Sequence, residues 1–290
     1  MPYMDFTIGC TLEYETEAAL TPFVFNLEAA RFPRQVITSE RLVTTPDLGE
    51  PDRLTMPESS NRLARFVVPK GKLKVEYTAA VAPDPLMLDP TGVQELAAGS
   101  IPLDVLPYLN ASRYCQSDRL TRFAAKQFDA MPSGHQRATA ICNWIRDNVD
   151  YESGSTDMLT SAYDTLGDRR GVCRDFAHLA ITLCRAVGIP ARYISTYAWQ
   201  LQRPDFHAVF EAYLAVPGGG GAWYLFDPTR MGGAGRSGAD RRRAGRGGRG
   251  VLLDLQVGEV RGTGSVDQRA ATQPDPHGAG SQHAGGLMIV

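Results

Sequence analysis

Between Val172 and Val187 the apolar residues fall at Val172, Phe176, Leu179, Ala180, Leu183 and Val187, in steps of 4, 3, 1, 3 and 4. That spacing predicts a helix with one buried face. Gly188 supplies a left-handed stop and Pro190 cannot continue the helix. The first part of the chain has a different period. Phe6, Ile8, Cys10, Leu12 and Tyr14 alternate with more polar neighbours, as do Leu73, Val75, Tyr77, Ala79 and Val81 after an expected turn at Pro69-Lys70-Gly71. Shorter strands are expected at 23–25, 36–38, 41–44 and 63–68. Together they predict a β-sandwich-like N-terminal domain over 1–82. Residues 83–112 carry Pro83, Pro85, Pro90, Pro102 and Pro107 and read as a linker.

From 113 the helical period returns. Ser117-Asp118 opens a helix that buries Leu120, Phe123, Ala124 and Phe128. Ser133-Gly134-His135-Gln136 reads as a capping box for a second helix, through Ala138, Ile141, Cys142 and Ile145. A short helix over 161–166 leads to the stretch around Cys173. After Pro190 the period is two again. Strands are expected at 191–198, 207–214 and 223–227, the last two joined by a hairpin through Val216-Pro217 and four glycines. Helices followed by an antiparallel sheet make residues 113–230 an α+β domain.

Composition narrows the functional classes. A net charge of −2 over 290 residues gives no basic surface for nucleic acid or an anionic membrane. No apolar run approaches a membrane span. The N-terminus lacks a basic region followed by an apolar core, which suggests a cytoplasmic protein. The five cysteines are scattered, with no C-x-x-C pair, which fits a reducing compartment and neither a disulfide framework nor a zinc knuckle.

Cys173 stands at the start of the predicted helix and off its apolar stripe. There the unpaired backbone N–H groups and the helix dipole favour a thiolate. The hairpin offers a base and an acid. Facing residues of an antiparallel pair have a constant index sum. If His207 faces Asp227 the sum is 434, the centre is at Pro217 inside the loop, Val209 faces Leu225 and Glu211 faces Trp223. Cys173, His207 and Asp227 thus form a candidate triad. The imidazole would share the thiol proton, and the carboxylate would fix its tautomer.

Gly171-Val172-Cys173-Arg174-Asp175-Phe176-Ala177, Gly188-Ile189-Pro190-Ala191-Arg192, His207-Ala208 and Asp227-Pro228-Thr229 occur in an order that resembles the transglutaminase-like superfamily. The β-rich first part and Ser112-Arg113-Tyr114-Cys115-Gln116-Ser117-Asp118 resemble its bacterial branch with an N-terminal domain of its own. The resemblance implies a papain-like catalytic domain, the Cys helix packed on an antiparallel sheet, with Cys173 as nucleophile, His207 as base and Asp227 as orienting acid. It departs at Val209, where an aromatic residue often follows the His-Ala pair. The implied substrate is a protein or peptide. Hydrolysis is the expected outcome, with amine transfer and non-catalytic peptide binding as alternatives.

Other residues receive quieter readings. His178 is expected on the helix surface or in packing, Cys184 in the core, and Arg174 and Asp175 at the helix start as stabilisers. Cys115 reads as buried structure before site wall. Trp199 and Tyr197 are candidates for lining a substrate cleft. The Cys173 N–H is one expected oxyanion donor, its companion unassigned. No acidic run reads as a calcium loop, and the chemistry requires no cofactor. Residues 231–290 contain no Phe, Tyr, Trp or Lys, whereas the first 230 hold all 25 aromatics. This Gly-, Ala- and Arg-rich tail reads as disordered and as an out-of-frame product of a GC-rich gene. A nucleic-acid-binding reading lacks aromatics to stack on bases.

Overall fold

The structure is a computed structural model that describes residues 6–57, 59–83, 89–198 and 206–231, together with the backbone of three short strands at 252–257, 266–267 and 288–289. Two compact units emerge. The first comprises Met1–Leu86, Ser195–Phe206 and Leu253–Val290, and the second Met87–Ile194 and His207–Leu252.

In the first unit, β1 (Phe6–Phe25), β2 (Gln35–Thr45), β3 (Asp52–Thr55) and β4 (Arg62–Pro83) pair as neighbours in one sheet, with β4 between β1 and β2 and also paired to β3. Alternation places Phe6, Ile8, Cys10, Leu12, Leu73, Val75, Tyr77, Ala79 and Val81 on a buried face. The strands are fewer and longer than expected. The stretch Pro69-Lys70-Gly71 is no turn, because it lies inside β4. The chain instead absorbs the irregularity as a bulge, the β1–β4 register jumping between Thr16↔Gly71 and Leu20↔Pro69. Thr16 Oγ1 bridges the gap: it donates to Pro69 O at 2.9 Å and accepts from Gly71 N–H at 3.2 Å. Among the described residues β1–β4 belong to one six-stranded sheet.

In the second unit α1 (Ser117–Phe128) and α2 (His135–Asn148) follow the sequence reading closely. The Pro-rich stretch before them is part of this unit. Val93 is buried in its core, and Gln94 O accepts from Ala215 N–H at 2.9 Å. The expected capping box is replaced by an N-terminus built from that same stretch. Gly134 occupies the N-cap with φ 79°, its N–H donates to Glu95 Oε1 at 2.9 Å, and Ser133 bonds Gln94. A Cβ on Gly134 would lie 2.1 Å from Val93 O, so the site excludes every other residue.

Next come β5 (Asp150–Tyr151), α3 (Ala162–Asp168) and β6 (Arg170–Gly171), the two strands forming a short parallel pair. They deliver the chain to α4 (Cys173–Ala186), which is buried from Asp175 to Cys184 and ends before Gly188 (φ 88°). Phe176, Leu179, Ala180 and Leu183 of α4 share a core with Leu120, Ala124 and Phe128 of α1 and Ile141 and Ile145 of α2. The sheet that follows runs β7 (Ala191–Ala198), β8 (Phe206–Ala215) and β9 (Gly221–Phe226), with β8 central to the three, and β10 (Leu252–Val257) neighbours β7. Two further strands of the tail, β11 (Val266–Asp267) and β12 (Met288–Ile289), pair with β1. The rest of the expected tail lies outside the described residues.

Candidate active site

Asp175 builds the start of α4. Its Oδ2 accepts from Val172 N–H at 2.9 Å and from Thr156 Oγ1 at 2.7 Å, and its Oδ1 accepts from the Arg174 guanidinium at 2.9 Å. A carboxylate on the first-turn N–H groups satisfies an orphan donor and complements the helix dipole. Arg174 also donates to Asp157 O at 2.8 Å, tying the 152–160 loop to the residue beside Cys173. Gly171 is required here by close approach, because a Cβ would lie 2.8 Å from the Asp175 Cβ. Thr156 was missed by sequence reasoning. It is sixteen or more residues from everything it organises, and nothing local marks it.

Cys173 is the first residue of α4 and half-exposed, while Cys10, Cys115, Cys142 and Cys184 are buried. Burial pushes the Cys10 thiol up to about 11 and the Cys142 thiol to about 12, where both are inert at neutral pH. The Cys173 thiol is hydrogen-bonded to the imidazole of His207. His207 Nε2 faces Asp227 Oδ2 at 3.1 Å, and these two side chains are 1% and 0% exposed. Burial alone would pull the His207 pKa down. The hydrogen bonds to Asp227 and Cys173, with the charges behind them, prevail and hold it at about 9. The two partners thus stabilise the imidazolium, the form His207 takes on receiving the thiol proton, beside Cys173 at a helix start.

The three side chains meet through a register two residues away from the expected one. Phe210 faces Phe226, Glu211 faces Leu225 and Tyr213 faces Trp223, an index sum of 436 and a centre at Gly218. Glu211 thus does not face Trp223. Pro217 cannot adopt positive φ, so the left-handed turn positions fall on Gly218, Gly219 and Gly220 after it, and the centre moves with them. A shift of two keeps the face of every side chain. His207 and Asp227 consequently stay on one side of the sheet but meet diagonally, and continuing the ladder sets Thr229 opposite His207. Thr229 Oγ1 lies 3.5 Å from His207 Nε2 and donates to Asp227 Oδ1 at 2.7 Å. The Asp-x-Thr sequence signals such a local turn, and Thr229 had been given no role.

The remaining candidates separate. His178 is buried and stacked on Tyr114 at 5.2 Å between ring centroids, with Tyr193 also 5.2 Å away, which makes it a packing residue. Cys115 and Cys184 are core. Tyr197 is buried in the first unit, and its hydroxyl donates to Cys10 Sγ at 3.3 Å and Leu27 O at 3.2 Å. Trp199 lies outside the described residues.

Residues 121–228 match the family model of the transglutaminase-like superfamily, a span that includes Cys173, His207 and Asp227. The crystal structure of a "putative cysteine protease" from Cytophaga hutchinsonii superposes with a TM-score of 0.75 at 35% identity, covering 95% of this chain and 94% of that one. The chain belongs to the transglutaminase-like superfamily. Among curated proteins, this transglutaminase-like chain is 34% identical over 113 residues to an uncharacterised protein of Mycobacterium leprae and 36% identical over 81 residues to one of Mycobacterium bovis. Those matches cover 38% and 28% of the chain, and 40% and 26% of the mycobacterial proteins. Among the described residues no helix is long and apolar enough to cross a membrane.

Proposed function

We propose that this chain performs thiol-dependent acyl transfer on peptide or side-chain amides, with water as the final acceptor. The observation that carries the proposal is the buried His207–Asp227 pair at 3.1 Å, hydrogen-bonded to the one cysteine that is not buried. The steps follow from proton and electron bookkeeping. The Cys173 thiol gives its proton to His207, and the thiolate sulfur bonds to the substrate carbonyl carbon. The developing oxyanion takes the backbone N–H of Cys173, at the first position of α4 and the positive end of the helix dipole. The imidazolium returns the proton to the amide nitrogen as the C–N bond breaks, leaving a Cys173 thioester and a free amine. Water then attacks the thioester, losing a proton to His207, and the carboxylic acid and thiol are released.

Water is favoured over an amine because the relative that resembles the chain across nearly its whole length is named for proteolysis. The test is a peptide-library digest with and without a small primary amine, using Cys173→Ala as control. New carboxyl termini or deamidated side chains in both arms, absent from the control, support hydrolysis. Amine-adducted products alone replace it with amine transfer. No product in either arm replaces it with a peptide-binding role.

A further inference from the structure

The segment after β9 is folded around one hydroxyl. Thr229 N–H donates to Asp227 Oδ1 at 2.9 Å, and Thr229 Oγ1 donates to the same oxygen at 2.7 Å. Met231 N–H donates to Thr229 Oγ1 at 3.1 Å, and the Arg230 guanidinium anchors the turn to Asn143 Oδ1 on α2 at 2.7 Å. Asp227 Oδ1 is thereby occupied by two donors from Thr229, and Oδ2 faces His207. A hydroxyl has one proton, and Thr229 places it on Asp227. Towards His207 Nε2, at 3.5 Å, Thr229 can only accept. An ionised carboxylate also only accepts. Each of these two groups calls for a proton on Nε2, and a neutral ring protonated there carries its lone pair on Nδ1.

We propose that Thr229 is a positioning residue of the triad, which locks the Asp227 carboxylate so that one oxygen meets His207 and the neutral imidazole is held as the Nε2–H tautomer. The proposal rests on the acyl-transfer reading above. Thr229 lies just beyond the residues matched by the family model, and its hydroxyl acts on the acid, not on substrate. Donation to Oδ1 also draws charge away from the carboxylate, which by itself would loosen its hold on the imidazolium. Orientation outweighs this effect here. With His207 and Asp227 1% and 0% exposed, a carboxylate that turns away meets no water to replace the lost contact.

The experiment measures the rate of iodoacetamide alkylation at the Cys173 peptide against pH in the intact chain, for the parent, Thr229→Ser and Thr229→Val. In the parent, alkylation persists well below the pH at which an ordinary thiol falls silent. Thr229→Val lowers the rate at about pH 6 by roughly threefold to tenfold, the range one hydrogen bond covers, and Thr229→Ser stays within about twofold of the parent. A Thr229→Val profile that overlays the parent, or a Thr229→Ser loss as large as that of Thr229→Val, overturns the proposal alone. A parent profile like that of an ordinary thiol overturns the acyl-transfer reading and this proposal with it. If Thr229→Val does not fold, nitrogen chemical shifts of His207 in the parent decide. Above the imidazolium pKa of about 9, a protonated Nε2 is expected, and a protonated Nδ1 overturns the proposal.

Discussion

Replacing Asp227 by Asn keeps the shape of the side chain and removes its charge. The consequence can be scaled from His207. Its pKa lies at about 9 against an ordinary 6.5, even though burial opposes the rise. That difference corresponds to roughly 3 kcal/mol of preference for the imidazolium, supplied by Asp227 and Cys173 together. If Asp227 supplies half, its loss is about 1.5 kcal/mol, or about a tenfold fall in the ratio of thiolate–imidazolium to thiol–imidazole. Burial then acts with less opposition, so tenfold is the lower bound. The assay is site-resolved alkylation of Cys173 at about pH 6, where an ordinary thiol with a pKa near 8.5 is well under 1% thiolate. Asp227→Asn is expected to alkylate at least about ten times more slowly than the parent and to converge with it above about pH 9.5. Equal rates at low pH would refute the claim that Asp227 sustains the ion pair.

Stability carries the same signature. Because the folded-state pKa of His207 is raised, its contribution is fully present below 6.5 and is lost as pH rises through about 9. In urea titrations the deficit of Asp227→Asn relative to the parent is expected to be largest below about pH 6.5, up to roughly 3 kcal/mol, and to shrink above about pH 9; a pH-independent deficit contradicts it. Gly134→Ala places a methyl 2.1 Å from Val93 O at a positive φ, and a loss of about 2–4 kcal/mol in the same titration is expected; a neutral result shows that α2 starts differently. Tyr197→Phe removes the hydroxyl held by Cys10 and Leu27, costing about 1 kcal/mol of stability with no change in KM for a peptide substrate; a raised KM places Tyr197 in the cleft. Asp175→Asn weakens the helix start by about 1–3 kcal/mol and lowers Cys173 reactivity at neutral pH; an unchanged alkylation rate separates the clamp from the nucleophile.

The helices and the site were legible for different reasons. Phe176, Leu179, Ala180 and Leu183 recur at helical spacing, and burial of that face is a local consequence of period. Cys173 stood out because it breaks the stripe at its first turn. His207 and Asp227 were readable because a hairpin constrains pairing arithmetic, and an error of two residues leaves every side chain on its own face. The register itself was not legible: where the left-handed turn falls among four glycines depends on Pro217, which the index sum ignores. Pro69-Lys70-Gly71 misled for the opposite reason. It carries turn residues, yet Thr16, more than fifty positions away, supplies the hydrogen bonds that keep β4 continuous. The roles of Glu95 and Thr156 were invisible because each acts on groups distant in sequence, the Gly134 N–H and the Asp175 carboxylate. Thr229 was visible in the motif, but its hydroxyl acquires meaning only once the diagonal register brings it to His207.

The most direct measurement is the intact mass of the chain after brief mixing with a good amide or ester acyl donor and acid quench. A thioester on Cys173 is expected, formed by the parent, absent from Cys173→Ala and discharged on standing in water. No adduct on the parent, or equal adduct on Cys173→Ala, contradicts acyl transfer through this triad.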